Sequence, residues 1–217
     1  MADIFHEVDE EVRRDQLKKL WERYGSLVIA LAVLVVAGIG GWRGYQWWEG
    51  KKAAEAGSAF EAAVTLSEAG KHAEAETAFA KIAAQAPAGY RTLARLRAAG
   101  ELGERDAKAA VAAYDELAGD SSLGQTLQDL AALRAGMLLV DSAALNEMQR
   151  RLGPLAEPDR AFRHSAREML ALAAWRNGDA AATKRYVDMI SSDSETPAGT
   201  RSRIEVISAL IAANGKS

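Results

Sequence analysis

The chain has 217 residues, a formal net charge of -3, four prolines and no cysteine. The slightly acidic balance excludes a nucleic-acid binder that relies on a basic face. The lack of cysteine excludes disulfides, thiolate metal sites and cysteine nucleophiles. Hydrophobic residues make up 49% of the chain and aromatic residues only 6%. Much of the apolar content is alanine, a strong helix former, so the composition predicts an all-α protein.

The first predicted helix covers residues 1–23 and carries charges of both signs. It holds seven acidic and five basic residues. Val8, Val12, Leu20 and Trp21 recur at helical spacing with charges between them. This pattern predicts an amphipathic helix and not the short basic leader of a signal peptide.

An uncharged stretch of nineteen residues, 24–42, follows this helix. As a helix it would be roughly 28 Å long, close to the hydrocarbon thickness of a bilayer. Aromatic residues flank the stretch, as in the interfacial belts of membrane proteins, and they are Trp21, Tyr24, Trp42, Tyr45, Trp47 and Trp48. These features predict an uncleaved transmembrane signal anchor over residues 24–48. They disfavour the two alternatives, a cleaved signal peptide and a buried core helix.

Basic residues near the two ends of the span indicate its orientation. Five precede it and three follow it, namely Arg13, Arg14, Lys18, Lys19 and Arg23 against Arg43, Lys51 and Lys52. This bias predicts a cytoplasmic N-terminus. In a bacterium, residues 49–217 would then form a periplasmic domain held at the inner membrane by a single pass through the bilayer.

Small residues recur near the end of the predicted span, at Ala37, Gly40, Gly41 and Gly44. Spacings of four residues place them on neighbouring helix positions, where another transmembrane helix can approach closely. We therefore predict a transmembrane packing face at these residues. The alternative is that glycine is simply frequent in membrane helices.

From Lys51 onward, the sequence alternates short helical segments with breaks and shows no strand-like run. The second helix of each predicted pair has a small residue, a larger residue four positions later and a third apolar residue. These sets are Ala75, Phe79 and Ile82; Ala110, Tyr114 and Leu117; Ala144, Met148 and Leu152; and Ala182, Tyr186 and Met189. The sets begin 35, 34 and 38 residues apart, which is typical of stacked helix pairs.

This spacing resembles the tetratricopeptide repeat (TPR), whose second helix carries a small residue, an aromatic residue four later and a proline after the helix. Ala75, Phe79 and Pro87 fit that pattern, whereas the tryptophan and the leucine–glycine pair of the TPR first helix are absent. The resemblance implies a TPR-like α-solenoid of antiparallel helix pairs, with residues 198–213 as a C-terminal capping helix. A generic helical bundle is the alternative.

The order of the parts carries a more specific resemblance. A mixed-charge helix with the sequence EVDEEVRRDQLKKLWERYG, residues 7–25, leads straight into one span, and TPR-like repeats fill the remainder. This layout resembles the ancillary subunit of the bacterial SecYEG translocon, in its alphaproteobacterial form. The resemblance implies a non-enzymatic protein whose partners are translocon subunits, a membrane-anchored periplasmic chaperone and exported client proteins. A TPR-like adaptor of another envelope process, such as cell division or cell-wall assembly, is the alternative.

The sequence contains no recognisable catalytic, metal or cofactor motif. His6, His72 and His164 lack a second histidine or paired carboxylate at metal-ligand spacing. No Gly-x-Ser-x-Gly or Walker pattern occurs. We therefore expect no catalytic residue, no cofactor and no small-molecule substrate, and an enzyme whose site is assembled only by the fold is a further alternative.

Arginines gather on the predicted first helices, at Arg91, Arg95, Arg97, Arg134, Arg160, Arg163 and Arg167. The candidate groove residues among them are Arg91, Arg95, Arg134, Arg163 and Arg167. In a TPR array the first helices line the concave groove. Arginines there would bind acidic segments or C-terminal carboxylates of partner proteins. The alternative is that these side chains balance nearby acidic residues on the surface.

Overall fold

The computed structural model describes the backbone of residues 3–214 and the side chains of Arg14, Lys18, Lys19 and residues 21–210. The chain divides into two compact units, Met1–Ala54 and Glu55–Ser217. Every regular element across residues 3–214 is helical, and no strand occurs in that range. The predicted all-α class is confirmed.

The first unit is a continuous part of helix α1, which runs from Asp3 to Glu68. The side chains of Val8, Val12 and Leu20, on which the amphipathic interpretation of residues 1–23 rests, lie outside the described residues. That interpretation therefore stays a prediction.

The apolar segment of α1 is long and apolar enough to cross a membrane. The mean hydropathy of its most apolar part is 2.2, and only 6% of that part is buried. Leu34 and Val36, for example, are 69% and 70% exposed. A helix that is apolar all round is buried either in a protein core or in a bilayer. Because these side chains contact no core, the core-helix alternative does not fit.

The second unit alternates helices and tight turns. It starts with residues 55–68 of α1, and eight more helices follow among the described residues: α2 (His72–Gln85), α3 (Ala88–Gly103), α4 (Ala107–Gly119), α5 (Gln125–Leu139), α6 (Leu145–Leu152), α7 (Arg163–Arg176), α8 (Ala180–Ser192) and α9 (Ala198–Asn214). Short 3-10 turns, Ser121–Leu123 and Pro154–Ala156, precede α5 and follow α6. In each repeat the first helix is 55–68 of α1, α3, α5 or α7, and the second is α2, α4, α6 or α8.

Two glycines form the turns inside the first and last helix pairs. Gly70 and Gly178 have φ angles of 72° and 75°, in the left-handed region that glycine adopts without a steric penalty. The amide after each glycine donates to a carbonyl five residues back, from Lys71 to Leu66 and from Asp179 to Ala174. The amide of each glycine also donates to a carbonyl three residues back, that of Ser67 or Trp175. These paired hydrogen bonds end the helix and reverse the chain, so the next helix runs back along the one before it.

The buried residues of the second helices follow the predicted pattern in the first two repeats. Ala75 and Phe79 are fully buried, and Ile82 is 6% exposed. Ala110 is fully buried, and Tyr114 is 5% exposed. In these repeats a small residue allows close helix approach and the larger residue one turn later fills the adjoining space.

The last two repeats each depart from the predicted pattern at one residue. Met148 and Leu152 are fully buried as predicted, but Ala144 is exposed and precedes α6, which begins at Leu145. In α8, Ala182 and Tyr186 are buried as predicted, whereas Met189 is only half-buried and Ile190 is fully buried instead. In both helices the two large buried residues are four apart, a spacing that keeps them on one helix face.

The third repeat depends on close contact between Gly136 and Leu152. A Cβ atom added at Gly136 would lie 2.9 Å from both Cδ atoms of Leu152. No real side chain packs that closely, so only glycine allows α5 to contact α6 at this point. Leu152 has no exposed surface.

Helix α9 closes the end of the unit. Ile204 and Ile207 are 1% and 7% exposed and belong to the same buried cluster as Leu170 of α7 and Tyr186 of α8. On the other side of α9, the Val206 side chain is 61% exposed to solvent. The predicted capping role of this helix in a TPR-like solenoid is confirmed.

We predict that Leu152→Ala lowers the free energy of unfolding by about 2–5 kcal/mol, because it leaves a cavity in a closed core. In that variant a second change, Gly136→Ala, no longer meets the Leu152 side chain. It should restore about 1 kcal/mol through its better helix propensity. Urea denaturation of the detergent-solubilised full chain, followed by circular dichroism, measures both values.

The control for this experiment is Leu93→Ala, which removes a leucine that is 48% exposed on α3. It should change the unfolding free energy by less than about 0.5 kcal/mol. A stabilising effect of Gly136→Ala in the otherwise unchanged chain would contradict the close contact.

Candidate functional site

The first helices and α9 expose large apolar side chains on one side of the second unit. On α7, Glu168, Leu172 and Trp175 are spaced i, i+4, i+7, and so lie on one helix face. Leu172 and Trp175 are 36% and 43% exposed, and Met137 of α5 is 47% exposed. We call the exposed side of α3, α5, α7 and α9 the first-helix face.

An apolar cavity of about 350 Å³ lies on this face between α5, α7 and α9. Its apolar lining consists of Leu133, Met137, Val140, Met169 and Leu172. At its rim the guanidinium of Arg203 on α9 donates to the Glu168 carboxylate on α7, with Nη2 and Oε2 2.8 Å apart. This ion pair joins the capping helix α9 to helix α7 of the last repeat. The rest of the cavity lining is mainly apolar.

A polar cavity of about 330 Å³ lies beside it, lined by residues of α1 to α5. Its charged and polar lining comprises Ser67, His72, Arg97, Glu101, Glu104, Tyr114 and Arg134. Met137 lines both cavities. The two cavities therefore adjoin at this side chain.

Glu101 forms the buried polar centre of this region. It is only 6% exposed, and a buried carboxylate needs hydrogen-bond partners to offset its lost hydration. The Ser67 hydroxyl donates to one carboxylate oxygen at 2.6 Å, and Nδ1 of His72 lies 2.8 Å from the other. Glu101 thereby joins the end of α1 and the start of α2 to α3.

The Tyr114 hydroxyl forms the inner wall of the polar cavity. It lies 3.4 Å from the carbonyl oxygen of Leu96, and a Cβ at Gly100 would lie 3.2 Å from it. Burial raises the pKa of Tyr114, and the positive charges of Arg134 and Arg97 oppose that rise more strongly than Glu101 supports it.

Most of the predicted groove arginines are held in ion pairs. Arg95 donates from Nη1 to Oδ2 of Asp120 at 2.7 Å. Hydrogen bonds from Ser122 and then from Arg95 lower the pKa of Asp120 to about 2. Arg91 is exposed and donates only to the Ala86 carbonyl, at 3.3 Å. Neither arginine lines the two cavities.

Arg163 and Arg167 converge on Asp193, in the loop before α9. Nε of Arg163 and Nη1 of Arg167 lie 3.0 and 2.8 Å from Oδ2 of Asp193. Arg167 is 4% exposed and also donates to the Ala156 carbonyl at 2.8 Å. These bonds, that of Arg163 above all, hold the pKa of Asp193 far below its ordinary value. The cluster fastens α7 to the loops on either side of it.

Arg134 is the predicted groove residue that lines a cavity, and the structure places Arg97 beside it. The predicted set did not include Arg97. A signal for it is present in the sequence, because Arg97 and Arg134 are 37 residues apart, as are the buried Ala94 and Ala131. They occupy equivalent positions of successive first helices. The binding role of the five predicted arginines stays a prediction.

The predicted packing face of the span is open in the first unit. A Cβ at Gly40, Gly41 or Gly44 would meet no atom within 4 Å, and Ala37 is exposed. Its use by another transmembrane helix stays a prediction.

Histidines and carboxylates form no metal-binding group of three or more among the described residues. His72 pairs with Glu101, and Nδ1 of His164 lies 3.2 Å from the Thr196 hydroxyl. Burial is the main reason that the pKa of His164 is lowered. His6 lies outside the described side chains. The candidate site considered further is the first-helix face, which combines exposed apolar side chains with the two adjoining cavities.

A family model described as the tetratricopeptide repeat-like domain matches residues 18–199. The chain belongs to this family. The matched range of the TPR-like domain includes the apolar segment and every helix from α2 to α8. No curated protein and no solved structure gives a significant match to the chain. TPR-like domains are typical scaffolds for protein–protein interaction, with extended binding surfaces formed by their stacked repeats.

We predict that Asp193→Asn lowers the melting temperature at neutral pH and weakens its dependence on acid. The pKa of Asp193 in the folded protein lies below its ordinary value of 3.8. The ionised carboxylate therefore adds stability above that pH, and this stability is lost as the pH falls further toward the folded-state pKa. Thermal unfolding of the two proteins over a range of acidic pH measures the difference.

Asp188→Asn is the matched control. Asp188 pairs with Lys184 on the exposed side of α8, at 2.7 Å and with 61% of its side chain exposed. Exposed pairs of this kind contribute little to stability, so the melting temperature should hardly change. Equal effects of the two substitutions on the melting temperature would show that the ion pairs of Asp193 do not stabilise the fold.

Proposed function

We propose that this protein is a non-enzymatic, membrane-anchored scaffold whose TPR-like domain binds other proteins. The observation that carries the proposal is the first-helix face, where Met137, Leu172 and Trp175 are exposed beside two adjoining cavities. Contiguous exposed apolar surface on a soluble domain marks an interaction site. One cavity has a mainly apolar lining and the other a mainly polar one, and both are open to solvent. This combination fits a peptide or protein surface better than a small substrate.

The proposed topology is a cytoplasmic segment, residues 1–23, a span, residues 24–48, and a periplasmic domain, residues 49–217. Support comes from the apolar, exposed segment of α1, its aromatic flanks and the excess of basic residues before it. The location is the inner membrane of a bacterium, crossed once. The boundary of the compact unit at Ala54 and Glu55 lies a few residues beyond the proposed end of the span.

The proposed site of action is the Sec translocon. The layout of a mixed-charge helix, one span and TPR-like repeats supports membership of the translocon's ancillary subunits. In this role the protein associates with translocon subunits and a membrane-anchored periplasmic chaperone and assists the handling of exported proteins. The mechanism is tethering, because a fixed anchor raises the effective concentration of the binding domain where clients emerge.

Single cysteines test the topology without ambiguity, since the natural chain has no cysteine. We expect Ser192→Cys, at an exposed position of α8, to react with a membrane-impermeant maleimide added to spheroplasts. Lys18→Cys should react only after the membrane is permeabilised. The opposite labelling pattern, or release of the protein by alkaline carbonate, would contradict the proposed anchor.

Photo-crosslinking from the span tests the partner. Probes at Gly40 and Gly44 share one helix face, and probes at Val35 and Gly38 lie on the opposite side by helical periodicity. We expect translocon subunits to be captured from intact membranes by the first pair of probes and much less by the second pair. Mass spectrometry identifies the captured proteins.

Capture of cell-division or cell-wall proteins alone would overturn the assignment to the translocon and favour an adaptor of that other process. Equal capture from both sides of the helix would contradict a specific packing face. The control for expression and insertion is the amount of each variant in the membrane fraction.

A further inference from the structure

We propose that the two adjoining cavities of the first-helix face bind one extended segment of a partner protein, with a defined chemistry. The segment has large apolar side chains next to an aspartate or glutamate. Its apolar side chains enter the cavity lined by Met137, Met169 and Leu172, and its carboxylate contacts Arg97 and Arg134. This inference rests on the proposed function, since it defines which segments the scaffold binds.

The two arginines of the polar cavity differ from the other arginines near them. Arg95, Arg163 and Arg167 are each held by a carboxylate. Arg97 and Arg134 make no ion pair and no side-chain hydrogen bond within residues 21–210, and both are exposed at the same cavity. Two guanidinium groups that share a cavity and are bonded to neither of its carboxylates favour an anionic ligand, and their planar donors suit a carboxylate.

The acidic residues of the cavity do not satisfy these arginines. Glu101 is already bound by Ser67 and His72. Glu104 is exposed at the end of α3 and makes no ion pair in the described part of the chain. At the Tyr114 hydroxyl, the charges of Arg134 and Arg97 act more strongly than that of Glu101. The inner part of the cavity is therefore the place where a ligand carboxylate is favoured.

The apolar cavity supplies the second half of the site. Its floor is formed by leucine, methionine and valine side chains, and the methionines adapt their shape to different apolar partners. The acidic residue of its rim, Glu168, is neutralised by Arg203. Because Met137 belongs to both linings, a single extended segment can contact both cavities at once.

The size of the cavities also favours a segment over a small molecule. Each lies near the lower limit of typical small-molecule pockets, which enclose roughly 300–1,000 Å³ and are closed around their ligand. These two are open to solvent along the first-helix face. They suit a few side chains presented by a peptide whose backbone lies outside.

The test uses the full chain in lipid nanodiscs and three short peptides with blocked ends. The peptides share one leucine–phenylalanine sequence and differ at a single neighbouring residue, which is glutamate, glutamine or lysine. Fluorescence anisotropy measures their dissociation constants, and empty nanodiscs correct for binding to lipid. We expect the glutamate peptide to bind about tenfold or more tightly than the glutamine peptide and the lysine peptide to bind most weakly.

Variants assign this preference to the arginines. The double variant R97Q/R134Q should bind the glutamate and glutamine peptides equally, because the interaction that distinguishes them is gone. The matched control R150Q/R185Q removes two exposed arginines outside both cavities and should keep the full preference. Leu172→Gln, which adds polarity without charge, should weaken the binding of both peptides by the same factor and leave the ratio of their dissociation constants unchanged.

Equal binding of the glutamate and glutamine peptides to the natural chain would overturn the inference. A preference that persists in R97Q/R134Q would also overturn it, as would tighter binding of the lysine peptide. If the peptides show none of the expected preference for glutamate while the span still captures translocon subunits, this inference is wrong and the proposed function stands. If the peptides behave as expected while only other membrane proteins are captured, the binding site stands and the translocon assignment fails.

Discussion

The close approach of neighbouring helices at small residues is the constraint on which the TPR-like unit depends. Ala75, Ala110 and Gly136 remove side-chain volume where two helices meet, and Phe79 and Leu152 fill the space one turn away. Protein interiors have little free volume, so each helix pair has one well-defined arrangement. Stacking of these pairs brings α5 beside α7, and α7 beside α9. The two cavities exist because the first helices are held next to each other in this way.

Ion pairs determine which arginines remain available on this scaffold. Asp120 follows α4 and binds Arg95 of α3, and Asp193 follows α8 and binds Arg163 and Arg167 of α7. These positive charges therefore stabilise the ends of the α3–α4 and α7–α8 pairs. Within residues 21–210 no loop carboxylate contacts Arg97 or Arg134, although Arg97 and the ion-paired Arg95 lie on the same helix.

The apolar part of α1 exposes its apolar side chains, whereas the second unit buries most of its own. The leucines and valines of that part of α1 face outward, which is favourable only in a bilayer or against another helix. The repeats bury their apolar residues and expose charge, apart from the first-helix face. In the proposed function, anchoring and binding are separate tasks of these separate segments.

The sequence by itself determined the features that arise from local physics. Helical periodicity and alanine content predicted the all-α class, and uniform apolarity predicted the membrane-competent segment. Only the tertiary structure decided that Ile190 rather than Met189 is fully buried in α8. It also decided that Arg97 makes no ion pair within residues 21–210, whereas Arg163 binds Asp193, thirty residues away in the chain. No local pattern records a contact that forms when distant helices pack together.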